Sequence, residues 1–146
     1  MPDQVQIEQI RYELTWRIRQ NAMYPDLPLE ASKLPLDPEG IHFGLYAGDW
    51  LTAVVSLFND GQNYQFRKFA TLTKEQGKGY GSKLLSYIIS YVQQEGGTRL
   101  WCNARSTASG FYEKFGFSKT GEQFYDKGID FVIMELELAA GSIPKR

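Results

Sequence analysis

Thr73–Leu85 reads TKEQGKGYGSKLL. Gly77, Gly79 and Gly81 fall close together and lead straight into apolar residues at helical spacing. Leu84, Leu85, Ile88, Ile89 and Val92 form one stripe, Ser82, Lys83, Ser86, Ser90, Gln93 and Gln94 lie on the other side, and Gly96-Gly97 ends the run. The residues before the glycines, NYQFRKFATL, read as a strand, so the glycines occupy a strand-to-helix turn. The first four amides of a helix have no intrahelical partner and sit at the positive end of its dipole. A glycine-rich entry therefore lets an anionic group approach several N–H donors at once. A tight turn that only needs positive φ has the same composition. Two nucleotide patterns fail here, because GKGYGSK fits neither the Walker sequence nor GxGxxG.

Working outward, the spacing predicts a short strand at Gln4 to Ile7 and a helix to about Tyr24 with Ile10, Leu14 and Ile18 on its buried face. Pro25, Pro28, Pro35 and Pro38 then exclude a continuous element, leaving a long surface loop with at most one helical turn. IHFGLYA and WLTAVVSLF flank Gly48-Asp49, and NYQFRKFATL follows Asn59-Asp60-Gly61, which predicts three antiparallel strands. After the glycine helix come a buried strand, RLWCNA, a short helix in STASGFYEKF stopped by Gly116, and a closing strand pair around Asp126 to Gly128. One domain over 1–138 with a frayed tail over 139–146 is expected, and no internal repeat is visible.

Composition limits the function classes. The 146 residues carry 16 basic and 17 acidic side chains, a net charge of -1, so no long-range field favours nucleic acid or a membrane surface. At 42% hydrophobic and 23% charged the chain reads as a globular protein rather than a disordered one. The single cysteine, Cys102, has no intrachain disulfide partner and sits in an apolar run, LWC, where it reads as a small buried hydrophobe. Without a basic-then-apolar leader or a membrane-length apolar run, the cytoplasm is the default location.

The glycine stretch matches Q-x-x-G-x-G at Gln76, Gly79 and Gly81, and SGFYEKFGF follows at Ser109 to Phe117. With both motifs in this order the chain resembles the GCN5-related N-acetyltransferase (GNAT) family, and the resemblance covers almost its whole length. It implies an α/β (α+β) fold in which about four helices flank a mixed, mostly antiparallel central sheet of six or seven strands. It further implies that acetyl-coenzyme A is the cosubstrate, with no metal, and that its pyrophosphate lies on Gln76, Gly77, Lys78, Gly79, Tyr80, Gly81 and Ser82. The pantetheine arm would bond the main chain at Phe69, Ala70 and Thr71, the strand from Leu100 to Asn103 would part from it, and Tyr112 would protonate the leaving thiolate.

The resemblance departs in one place: the asparagine found seven residues before that tyrosine in many members is Arg105 here, with Asn103 two residues earlier. Either is a candidate cofactor contact. The base is also unassigned, because the strand that carries an acid in some relatives has Arg67 and Lys68. Water is one candidate, and His42, the only histidine, is the other, though a lone histidine in a strand is more often structural.

The acceptor implied is a primary amine of a small molecule or a peptide, transfer is direct, and a homodimer is left open. The resemblance implies that the proline-rich loop walls the acceptor site, where Asp26, Glu30, Asp37 and Glu39 against Lys33 would favour a cationic acceptor; the same acids also read as plain solvated surface. A silent acyl-coenzyme A-binding or regulatory module of the same fold is the competing reading.

Overall fold

Short glycine turns return the apolar runs on one another, and in the computed structural model, which describes residues 4–138, the strands form one sheet. Its members are β1 (Val5–Ile10), β2 (Ile41–Ala47), β3 (Trp50–Asp60), β4 (Asn63–Thr71), β5 (Arg99–Arg105), β6 (Ser118–Asp126) and β7 (Ile129–Glu137). The order is β1-β2-β3-β4-β5-β7-β6. The β1/β2, β2/β3, β5/β7 and β6/β7 ladders are antiparallel, and β4/β5 is parallel. The helices are α1 (Thr15–Met23), α2 (Tyr80–Gln94) and α3 (Ser109–Glu113). In the proline-rich loop only two 3-10 turns form, at Leu29–Ser32 and Asp37–Glu39. The expected tail over 139–146 lies outside the described residues.

The chain packs as two compact units. One takes in the chain up to Phe58 together with Arg67–Ile88, the other Asn59–Phe66 together with the chain from Ile89 onward. Both β4 and α2 begin in one unit and end in the other.

In the first unit α1 buries Thr15, Ile18 and Arg19. Ile18 meets Val54 and Ala70, with Ile10, Ala22, Met23, Leu51 and Leu72 packed around them. The four-residue spacing misled at its start: Ile10 closes β1 instead of opening a helix, and Leu14 is exposed in a 3-10 turn. The apolar stripe of α2, which runs through both units, follows its period: Leu84, Leu85, Ile88 and Val92 are buried and Ile89 is half-buried.

In the second unit β5 pairs with β7 from Arg99↔Glu137 to Arg105↔Phe131, whereas its parallel ladder with β4 runs only from Asn63↔Arg99 to Gln65↔Trp101. The β6–β7 turn is carried by Lys127 and Gly128, at φ 52° and 83°. Two left-handed residues in succession give the turn the twist that a tight hairpin needs.

Candidate active site

The β4–α2 connection forms because glycine stands where the backbone turns left-handed. Gly77 and Gly79 have φ of 84° and 85°, and a Cβ at either would point into open space, so backbone conformation rather than crowding selects glycine there. The α2 ladder opens with the Lys83 amide donating to the Gly79 carbonyl at 3.2 Å. The amides of Tyr80, Gly81 and Ser82 precede that bond and have no acceptor within the helix. Gln76, exposed, donates Nε2–H to the Thr71 carbonyl at 3.2 Å, tying the start of the loop to the end of β4. Lys78 bonds the Glu75 carboxylate at 2.9 Å, while Lys83 is exposed.

The residues expected to grip the pantetheine divide by face. Ala70 is a core side chain, and Phe69 and Thr71 are half-buried beside Gly81. Lys68, just before them, holds φ 55° within a strand. That is an uncommon conformation for a residue with a side chain. Its ammonium donates to the Tyr24 hydroxyl and lies 4.9 Å from that ring's centre. The Thr73 amide donates to the Asn21 side-chain oxygen at 2.9 Å, a second tie from the end of α1 to the segment before the glycines. Neither tie has a local sequence signal, because the partners lie 44 and 52 residues apart.

Tyr112 belongs to the second unit. Its ring completes a triangle with Phe66 and Phe117, the centroids 5.8, 5.9 and 6.0 Å apart, and Phe111 stands edge-on at 5.2 Å. Burial, with a smaller contribution from the Cys102 thiol, pushes the phenol above its ordinary value. The group is therefore a neutral O–H donor across physiological pH. Cys102 is 2% exposed, and burial pushes its thiol up to about 12, which leaves it a packing residue as expected and supplies no thiolate nucleophile. Asn103 and Arg105 are exposed, two residues apart on β5.

The structure also contains a buried polar cluster that the sequence does not announce. Arg19 forks onto Asp37, Nη1 to Oδ2 at 2.9 Å and Nη2 to Oδ1 at 3.0 Å, with side chains 0% and 1% exposed. Its Nη1 also reaches the Ser32 carbonyl and its Nη2 the Ser56 hydroxyl, each at 2.8 Å. His42 contacts the Asp37 carbonyl through Nε2 at 2.8 Å and the Ser56 hydroxyl through Nδ1 at 2.7 Å.

A carbonyl only accepts, so Nε2 carries the proton and donates. Nδ1 then accepts from the Ser56 hydroxyl, whose oxygen in turn accepts from Arg19. Burial lowers the His42 pKa against the opposing pull of the Asp37 carbonyl and charge. With both ring nitrogens engaged, His42 is a structural residue and not a free base. The cluster also revises the charge of the proline-rich loop, since Asp37 is neutralised by Arg19 and Glu30 bonds Lys33 at 2.7 Å, leaving Asp26 and Glu39.

A protein-family model described as "Acetyltransferase (GNAT) domain" matches residues 30–138. The chain belongs to the GNAT family. An uncharacterized N-acetyltransferase of Bacillus subtilis, YitI, is 29% identical over 86% of this GNAT chain and 90% of its own. Among solved structures, the ribosomal-protein-S18-alanine N-acetyltransferase of Escherichia coli superposes with a TM-score of 0.75 at 19% identity, covering 92% of this chain and 94% of its own. A Bacillus subtilis acetyltransferase in complex with CoA gives 0.73 at 20% identity, covering 93% and 100%. As a member of this family the chain is an acetyl-CoA-dependent acetyltransferase with the GNAT fold, and the expected family and fold class are both borne out. No helix among the described residues is long and apolar enough to cross a membrane.

Proposed function

We propose that this GNAT protein moves the acetyl group of acetyl-CoA directly onto a primary amine of a small molecule or peptide. The observation that carries the reading is the left-handed glycine turn, which presents the first amides of α2 without intrahelical acceptors. Those amides and the helix dipole suit a pyrophosphate. Gln76 steadies the turn through Thr71, and Gly77, Lys78, Gly79, Tyr80, Gly81 and Ser82 line the anion's path. The main chain at Phe69, Ala70 and Thr71 holds the pantetheine arm, and an amide there faces the charge that develops on the thioester oxygen. Tyr112 delivers its proton to the departing thiolate and regains one from solvent, its raised pKa keeping the phenol protonated between turnovers. The amine enters neutral and gives its proton to water, since His42 is fully engaged and β4 presents Arg67 and Lys68 in place of an acid.

Acetyl-CoA should raise the melting temperature by several degrees at ~100 times its dissociation constant, where binding adds about 2.7 kcal/mol. Gly79→Glu should remove that shift, because a side chain and a like charge then stand in the anion's path. Gly61→Glu is the control: Gly61, in the β3–β4 turn, has φ 62° with open space around it, so the substitution imposes a similar backbone strain. It should lower the melting point and keep the ligand shift. A full shift in Gly79→Glu would remove the loop from the assignment. Free-thiol release from acetyl-CoA over a panel of amines tests the reaction itself. Binding without release on any amine would favour the silent module.

A further inference from the structure

The β5–β7–β6 part of the sheet has two unlike faces. Leu100, Cys102 and Ala104 of β5 and Val132 and Met134 of β7 are buried on one of them. The alternate residues share the other face by the two-residue period of a strand, and there Asn103 and Arg105 are exposed while Trp101, Phe131 and Ile133 are half-buried. Register sets Asn103 opposite Ile133, Arg105 opposite Phe131, and Phe131 opposite Phe124. The Phe131 and Phe124 rings are stacked, 5.0 Å apart and 14° from parallel, with Phe124 41% exposed.

Among the described residues the side chains of Asn103 and Arg105 make no hydrogen bond or ion pair. Glu135, on the same face of β7, is held by Arg99 Nε at 2.6 Å. The Arg105 guanidinium is thus an uncompensated fork beside a stacked aromatic pair. Two residues along a strand span about 7 Å and one strand over spans about 5 Å. The patch from Asn103 and Arg105 across Phe131 to Phe124 is therefore about 7 by 10 Å, the footprint of a single amino acid with a ring.

Granted acetyl transfer to an amine, we propose that this face is the acceptor subsite and that the acceptor is an amino-acid-like amine carrying a free carboxylate and a flat apolar group. The carboxylate accepts from the Arg105 fork and the Asn103 amide, a charge-assisted pairing that a neutral amide in its place cannot match. The ring lies over Phe131 and Phe124, extending a stack already formed. Asn103 and Arg105 thereby recognise the acceptor and not the coenzyme.

The test compares phenylalanine, phenylalanine amide and alanine as acceptors, in the wild type and in Arg105→Gln, whose side chain is exposed and whose loss spares the core. Wild type should favour phenylalanine over each of the others by about tenfold in kcat/KM, mostly through KM. In Arg105→Gln the acid-to-amide ratio should fall to about one, while the acetyl-CoA melting shift stays at its wild-type value. A wild type that acetylates other amines but shows no such preference overturns the subsite and leaves acetyl transfer standing. An unchanged ratio in the variant does the same, and a lost coenzyme shift returns Arg105 to the cofactor. Absence of thiol release on every amine overturns the transfer reading instead. Saturation-transfer NMR with N-acetylphenylalanine and its amide reads the same preference without turnover, and equal binding of the two by the wild type overturns the subsite.

Discussion

Replacing Asp37 by alanine should destabilise the protein by about 3–5 kcal/mol, the usual cost of stranding a buried charge whose partner is removed. Arg19 is 0% exposed and would keep only the Ser32 carbonyl and the Ser56 hydroxyl as partners. For a chain of this length the thermal midpoint should fall on the order of 10 °C. The double variant Arg19→Met, Asp37→Leu should recover much of the loss, because no charge is then left buried.

The same cluster sets the acid limb of stability. Burial alone would raise the Asp37 carboxyl. The hydrogen bonds from Arg19, the Leu34 amide and Trp16 outweigh it and hold the group below its ordinary value. His42 is also lowered. In both cases the unfolded chain binds more protons, so stability declines as pH falls. The His42 part is complete above ~6.5 and declines below it, and the Asp37 part declines below ~3.9. Urea midpoints measured from pH 8 to pH 3 should show both stages, and His42→Gln should flatten the first. A midpoint flat from pH 8 to pH 5 in the wild type would contradict the neutral histidine.

Tyr112→Phe should cut turnover on the order of 10²-fold while leaving the acetyl-CoA melting shift nearly intact. The ring still packs against Phe66 and Phe117 and only the hydroxyl is lost. General acid catalysis is commonly worth ~10²–10⁴-fold, and a thiol with pKa near 8.5 is already a fair leaving group, which places the effect at the lower end. Because burial raises the phenol, its ionisation should produce no alkaline limb below pH ~10. The acidic limb, set by deprotonation of the amine, should persist in the variant. Equal turnover across the pH range would reduce Tyr112 to a packing residue and assign the proton to water.

What could be read from the residues alone was whatever repeats over a short span. The α2 stripe, the hairpin turns and the glycine entry are each encoded within a dozen or so residues, and each formed where the pattern places it. The Arg19–Asp37–His42–Ser56 cluster joins four separate segments, and an arginine in a helix or an aspartate between prolines reads locally as surface. Ile10 and Leu14 misled for a related reason: four-residue spacing cannot tell a helical face from the end of a strand followed by a turn. The face that carries Asn103 and Arg105 depends on the β5–β7 register, which sets residues about 28 apart side by side.

The interleaving of the two units limits how this gene can be recombined with its relatives. Asn59–Phe66 belongs with the chain from Ile89 onward, although Arg67–Ile88 lies between them. Any single crossover therefore splits at least one unit. A chimera that takes a relative's sequence from Ile89 to the end would import a foreign counterpart of Tyr112 and set it against the resident Phe66, its ring neighbour at 5.8 Å. Transplanting this half of the enzyme intact requires a second, eight-residue exchange at Asn59–Phe66, so its inheritance follows contacts instead of chain order.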